Sequence, residues 1–366
     1  MVMNGIDILE KENFKSLMNK KIGIITNFSF VNKNMEFMID KMISNGVNIV
    51  KIFTPEHGLY GLPDGKEYDN EVHPKYNIPV ISLYGDNKKP KKEYLEDIDL
   101  LVYDIQDVGL RFYTYIYTLA YCMISADEND KDFMILDRIN PLGRKVYGGR
   151  MKDEYKSFVG DYELPLRYGL TCAETGLYYK KLLGLKLDLK IIKVEGWNGE
   201  TFDKTDLMWN VPSPNLPDFE STIAYAGNCF FEATNISEGR GTTKPFTYIG
   251  APWIDNDDLY EKLKENFKDL NIRKREFIPM FSKHKDILCH GVEFFPNDND
   301  NFFEISLFIM NYLNKYDQYE INDRFKGLVG EISLKDIDHK EWNEQAKQFI
   351  EYTKDILIYE KGLELL

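Results

Sequence analysis

The chain is poor in histidine and cysteine and has no apolar run long enough to span a bilayer. Each scarcity removes a class of function. The four cysteines, Cys122, Cys172, Cys229 and Cys289, lie far apart with no metal-type spacing. They read as reduced and mostly buried, which favours the cytoplasm. The five histidines, at 57, 73, 284, 290 and 339, make no HExxH and no other zinc-type pattern. No GxGxxG or GxxxxGKS/T loop is present to cradle a phosphate. The Gly-x-Ser-x-Gly elbow of acyl hydrolases is missing too. Nucleotide cofactors, serine hydrolysis and zinc are therefore disfavoured. Cations are in deficit: 46 Lys and Arg stand against 60 Asp and Glu, a net charge of -14. Phosphate backbones need clustered cations, so nucleic acid is not an expected partner. The one dense cationic run, Lys88-Lys89-Pro90-Lys91-Lys92, reads as a solvated loop and helix start. The first ten residues lack the charged start and apolar centre of a secretory signal. A cytoplasmic location is expected, or a secreted one if a leader has been trimmed.

What the chain has is length, aromatics and carboxylates. Its 366 residues are enough for two domains, and 43% apolar with 29% charged residues is a globular composition. Most of the 24 Tyr, 23 Phe and 4 Trp belong to the core, although Tyr and Trp also suit amphipathic ligands such as sugars. Short apolar runs at 21–27, 48–54, 79–85, 100–106, 132–138 and 189–194 read as strands. Helical periods fall between several of them, at 35–45, 115–126 and 171–183. Thr171 with Glu174 makes a capping box for the last. This alternation predicts βαβ units and an α/β fold with a Rossmann-like, mostly parallel sheet. A strand-like 229–231 follows. After residue 245 helices near 257–267, 301–314 and 339–359 and a strand at 291–295 suggest a smaller α+β C-terminal domain. We expect domains over 1–245 and 246–366.

Four constellations carry chemistry. The strand at 48–53 runs into Thr54-Pro55-Glu56-His57-Gly58. Ligands of open α/β sheets bind outside the carboxyl ends of the strands, so Glu56 is a candidate acid, base or nucleophile and His57 an orienting group. A solvated loop acid is the alternative. The fourth strand ends in Asp104-Ile-Gln-Asp-Val-Gly-Leu-Arg-Phe-Tyr-Thr-Tyr115. Asp104, Asp107, Arg111, Tyr113 and Tyr115 can bind a polyhydroxylated or carboxylated ligand, with Arg111 offering a planar fork. An Asp–Arg pair that only organises the loop is the alternative. At the next strand end, Asp137-Arg138-Ile-Asn-Pro-Leu-Gly143, Asp137 or Asn140 can either bond a hydroxyl or tie the loop to the rim. Finally, Glu232-Ala-Thr-Asn-Ile-Ser-Glu-Gly-Arg-Gly-Thr242 brings Glu232, Asn235, Glu238 and Arg240 together around two glycines. Several carboxylates, few histidines and many aromatics fit glycoside hydrolysis, in which two carboxyl groups flank the scissile bond. Two other readings stay open: a metal-dependent phosphoesterase using Glu56, His57, Asp104 and Asp107, and a non-catalytic sugar receptor.

At these same segments the chain resembles the exo-β-N-acetylmuramidases. The matching stretches are TPEHG at 54–58, SLYG at 82–85, DIQDVGLRFYTY at 104–115, DRINP at 137–141, SFVG at 157–160, PSPNLP at 212–217, EATNISEGRGT at 232–242 and GAPW at 250–253. The resemblance implies a Rossmann-like domain and a smaller one, with the active site in a cleft. It implies removal of N-acetylmuramic acid from non-reducing ends of peptidoglycan-derived disaccharides or muropeptides, without metal or cofactor, by a monomer or weak dimer. Within it, Glu56 would protonate the glycosidic oxygen and Glu232 or Glu238 would be base or nucleophile. Arg111 or Arg240 would grip the lactyl carboxylate. His57, Asp104, Asp107, Tyr113 and Tyr115 would orient the sugar, with Asn140 and Asn235 also on the substrate. The chain departs from the family pattern at Ile139, Ala233 and Tyr168.

Overall fold

The computed structural model of the chain describes residues 1–61 and 70–366. The chain divides into two units, and neither is one continuous segment. The first takes in Met1–Lys145, Tyr168–Pro214 and Phe349–Glu364; the second Val146–Arg167, Asn215–Gln348 and Leu365–Leu366.

The first unit is built on a seven-stranded sheet. Its strands are β1 (Lys21–Thr26), β2 (Asn48–Thr54), β3 (Glu71–Val72), β4 (Pro79–Ser82), β5 (Leu100–Asp104), β6 (Asp132–Leu136) and β7 (Leu189–Ile192). They lie in the order β3-β4-β2-β1-β5-β6-β7, all parallel except β3, which runs antiparallel to β4. The chain starts in the middle, moves out to one edge, then returns past β1 to build the other side. This is the doubly wound, Rossmann-like order expected from the sequence. Ile24 of β1 pairs with Ile52 of β2 and with Val102 of β5, so the reversal of strand order falls between β1 and β5.

Parallel strands covered on both faces read as continuous apolar runs. Leu100, Leu101, Val102 and Tyr103 of β5 are all fully buried. Alternate residues face opposite sides. Ile22, Ile24, Ile52 and Val102 pack against Ile6 and Leu9 of α1 (Gly5–Lys11) and Met38, Ile39 and Met42 of α2 (Met38–Ser44). Ile135 points the other way. After the short α3 (Lys92–Leu95), a Cβ on Gly176 of α5 (Cys172–Leu183) would lie 2.4 Å from Ile135, and Met123 of α4 (Tyr115–Glu128) is 3.6 Å from the same point. The capping box of α5 is formed: the Thr171 hydroxyl accepts from Glu174 N, and Thr171 N donates to Glu174 Oε2 at 3.0 Å.

The second unit carries a three-stranded antiparallel sheet of β8 (Tyr248–Ala251), β9 (Ile272–Phe277) and β10 (Cys289–Phe294), with β10 in the centre. Helices α6 (Phe219–Asn228), α7 (Asn256–Asn266), α8 (Phe302–Leu313) and α9 (Arg324–Val329) accompany it. Gly227 of α6 lies so close to the Phe302 carbonyl of α8 that a Cβ there would be 1.8 Å from it.

Three expected elements differ. Cys229–Ala233 is a 3₁₀ turn continuing α6, not a strand, because Asn228 ties the segment to the Phe246 carbonyl and to Ser306. A short buried apolar run does not by itself distinguish the two. The last helix, α10 (His339–Thr353), ends before residue 359. Beyond it Ile358 N donates to Glu174 and the Tyr359 hydroxyl to Asp137, which draws the chain out of helical form. The helix expected from 35 begins at Met38, since Met35 takes a left-handed φ of 63° in a turn closed on Asn32.

Candidate active site

Glu56 sits just past β2, on the carboxyl rim of the sheet. The chain turns sharply there: Gly58 N donates to Pro55 O at 3.0 Å, with His57 at φ 70° and Gly58 at φ 62°. Left-handed backbone is uncommon for a residue other than glycine and collects at functional turns. Glu56 is partly exposed, whereas His57 is buried. One carboxylate oxygen, Oε2, accepts from the Thr114 hydroxyl at 2.9 Å. Thr114 is the residue that opens α4. Among the described residues no cation pairs with Glu56, and Oε1 accepts no hydrogen bond.

The other carboxylates on this rim are committed inward. Asp104 is fully buried and bonded to Arg138 Nε. Burial pushes its carboxyl up to about 6 against the pull of Arg138. Asp107 is buried, accepting from Gly109 N at 2.8 Å and from the Tyr168 hydroxyl. Burial raises it to about 6 as well. Asp137 accepts from Ala173 N, Arg138 N and the Thr171 and Tyr359 hydroxyls, and burial carries it to about 7 despite these donors. Asn140 is buried, donating to Leu170 O and accepting from Leu142 N, and it abuts Gly109, whose φ of 77° and 2.4 Å approach admit no side chain. Arg111 is fully buried, Tyr113 is buried, and the Tyr115 hydroxyl donates to Pro212 O at 3.1 Å. Asp104, Asp107 and Tyr115 thus hold neighbouring segments beside Glu56. Among the described residues no three His, Cys, Asp or Glu side chains gather as cation ligands.

In the second unit the predicted residues of the 232–242 loop do meet. Arg240 pairs with Glu232 at 2.7 Å and with Glu238 at 3.4 Å. Glu238 also binds Lys283 at 2.8 Å, and Glu232 also binds Arg324 at 2.7 Å. Both carboxylates are buried to within a tenth, while the Arg324 side chain is 58% exposed. Among the described residues two carboxylates thus face three cations. Asn235 lies beside this cluster and clips a turn, donating to Gln318 O and accepting from Glu320 N.

The comparisons with known proteins agree over most of the chain. The family model described as exo-beta-N-acetylmuramidase NamZ, N-terminal, matches residues 22–220, and its C-terminal counterpart matches 223–359. The chain belongs to the NamZ exo-β-N-acetylmuramidase family. A peptidoglycan beta-N-acetylmuramidase NamZ of Bacillus subtilis (strain 168) is 44% identical over 306 residues, covering 82% of this chain and 74% of that one. Two solved structures of DUF1343 family proteins from Bacteroides fragilis are similar throughout. One is 30% identical with a TM-score of 0.89, covering 98% of this chain and 99% of its own. The other is 29% identical with a TM-score of 0.79, covering 99% and 100%.

The three departures from the NamZ family pattern are all buried. Ile139 joins a small core with Val2, Val194 and Trp197. The Ala233 carbonyl accepts from Asn322 N. Tyr168 supplies the hydroxyl that holds Asp107. Sequence reasoning missed Thr114, Lys283, Arg324 and the end of β1. Thr114 stood inside the motif already singled out. The end of β1 was reachable by the strand-end rule that found Glu56: there Asn27 accepts from Ser29, and Ser29 accepts from Gln106 N across the switch point. Lys283 and Arg324 are 45 and 92 residues from the glutamates they bind, with no local signal.

Proposed function

We propose that Glu56 is the acid of an exo-β-N-acetylmuramidase, giving its proton to the oxygen that links N-acetylmuramic acid to the next sugar of a peptidoglycan fragment. The supporting observation is its setting: a strand-end carboxyl with one oxygen fixed by a neutral hydroxyl and the other without a donor among the described residues. An acid must present an O–H to its substrate, and here Oε1 is the atom able to do so. Protonation breaks the C–O bond as positive charge develops on the sugar ring. Glu232 and Glu238 are the proposed candidates for the second carboxylate, which attacks that carbon or takes a proton from the attacking water. The exposed guanidinium of Arg324 in their cluster suits a carboxylate ligand. The lactyl carboxylate is the group that distinguishes N-acetylmuramate from N-acetylglucosamine.

The test is release of 4-nitrophenol from its β-N-acetylmuramide beside the β-N-acetylglucosaminide, with and without chelator. Muramide-selective release that ignores chelator is expected. Chelator-sensitive release would make the glycosidase metal-dependent and overturn the carboxylate mechanism, and binding without turnover would replace this reading by the receptor alternative.

A further inference from the structure

In the second unit the chain passes from β9 to β10 through residues 278–288, and this loop is pinned to the segment that carries Glu232 and Glu238. Met280 N donates to Gly241 O at 2.8 Å, and His284 Nε2 lies 2.7 Å from Asn235 O. Gly241 has to be glycine: its φ is 83°, and a Cβ there would lie 2.3 Å from Phe281 O. Between these two fastenings stands Lys283.

The Lys283 ammonium has three N–H donors, and each finds an acceptor. They are Phe231 O at 2.6 Å, Ile236 O at 3.0 Å and Glu238 Oε2 at 2.8 Å. The first carbonyl belongs to the residue before Glu232, and the second lies two residues before Glu238. One ammonium therefore fixes the carboxylate of Glu238 relative to the turn that carries Glu232.

The two glutamates differ in what their oxygens receive. Glu232 has a guanidinium on each: Arg240 on Oε1 and Arg324 on Oε2, both at 2.7 Å. Glu238 has Lys283 on Oε2 at 2.8 Å. Its Oε1 has Arg240 Nε at 3.4 Å, beyond the usual N–H···O range of about 2.7–3.2 Å. Glu238 thus has one oxygen held firmly and one held loosely. A carboxylate that attacks a sugar carbon, or takes a proton from water, uses that combination: one oxygen fixes its direction and the other reacts. We propose that Lys283 is a positioning residue, aiming Glu238 as the second carboxylate of the glycosidase; the assignment rests on the muramidase reading above.

The test is steady-state kinetics of the full chain on 4-nitrophenyl β-N-acetylmuramide, with thermal midpoints measured alongside. Lys283→Met removes the charge and all three bonds. It should lower kcat about 10²-fold with KM within about threefold, because a misplaced reacting group is felt in turnover rather than in ground-state binding. Lys283→Arg keeps a cation beside the carboxylate and covers the case in which the Met variant fails to fold. Its planar fork cannot converge on three acceptors, and kcat should fall about tenfold. Added to Glu238→Gln, either substitution should cost no more than about a further twofold, since residues that act as a unit are not additive. A wild-type kcat in Lys283→Arg overturns the proposal, whatever happens to the thermal midpoint. A rise in KM alone, or full additivity with Glu238→Gln, overturns it too. If wild type turns over the muramide and these variants keep its kcat, the positioning role is removed and the muramidase reading stands. If wild type turns over neither the nitrophenyl muramide nor N-acetylmuramyl-β-1,4-N-acetylglucosamine, both are removed.

Discussion

Residue by residue, the carboxyl groups differ in what already occupies them. Glu56 has a hydroxyl on one oxygen, whereas Glu232 and Glu238 have cations on both. Removing Glu238 leaves Lys283 with only the Phe231 and Ile236 carbonyls among the described residues, and takes one of two carboxylates from Arg240, in a mostly buried place. We expect Glu238→Ala to cost about 3 kcal/mol of stability, read from denaturant unfolding, because breaking a buried pair strands charge. Arg324 is the exposed cation of the cluster. Arg324→Gln should raise KM for the muramide about tenfold, as loss of a charged hydrogen bond does, with kcat nearly unchanged; a wild-type KM would detach the cluster from substrate. Asp107 sets a pH dependence. Its folded carboxyl is raised to about 6, above its ordinary value in the unfolded chain. Between the two, the native state keeps a proton that the unfolded state has released. This contribution to stability is therefore lost as pH rises through about 6, and is present in full only at acid pH. In Asp107→Asn the amide oxygen can accept both bonds that Oδ2 accepts in the wild type, so its thermal midpoint should fall less than the wild type's between about pH 4 and 7. At this scale the sequence disclosed Glu56 through its place after a strand, but not the commitments of Asp104 and Asp107. Burial depends on what packs above a residue, and Tyr168 lies 61 residues from the aspartate it holds.

At the scale of elements, α5 shows how local and distant signals combine. Its capping box was legible in Thr171 and Glu174. The same glutamate receives Arg144 in a two-pronged pair, with both side chains fully buried, and also accepts from Ile358 N. Arg144 stacks over Trp197 and Tyr359 at 4.9 and 5.5 Å. The N-terminus of α5 is thus joined to the segment after α10 through one carboxylate. Arg144→Ala should cost about 3–5 kcal/mol in equilibrium unfolding, since the glutamate left behind is buried and unpaired. A loss under 1 kcal/mol would mean that the cap alone holds the helix start. The strands of the first unit were readable because covered parallel strands are apolar along their length. The strands β8 and β9 were not. β9 reads IRKREF, with five of its six residues at least partly exposed, so it carries no apolar run to detect. The helix α6 escaped for a different reason: it merges into the buried 229–233 turn, and the apolar run was read as a strand.

For the whole molecule, the decisive physical fact is the strand order of the first unit. Starting the chain at β1 and building outward both ways brings the ends of β2, β1 and β5 side by side on one rim. Glu56, Asn27, Ser29 and Gln106 come from segments far apart in sequence and share that rim. The alternation of strands and helices disclosed the fold class, and the motifs at strand ends disclosed the rim. The charge cluster of the second unit was only half visible, since its cations arrive from distant segments. Glu56 as the acid is the central proposal for this molecule. A nitrophenolate leaves without help, while a sugar alkoxide needs its proton. The measurement is therefore kcat/KM of wild type and Glu56→Gln on 4-nitrophenyl β-N-acetylmuramide and on N-acetylmuramyl-β-1,4-N-acetylglucosamine, with circular dichroism to confirm the fold. The prediction is a loss of about 10²–10⁴ on the disaccharide and a far smaller one on the nitrophenyl glycoside. Equal losses on both, or near-wild-type turnover of the disaccharide, would contradict it.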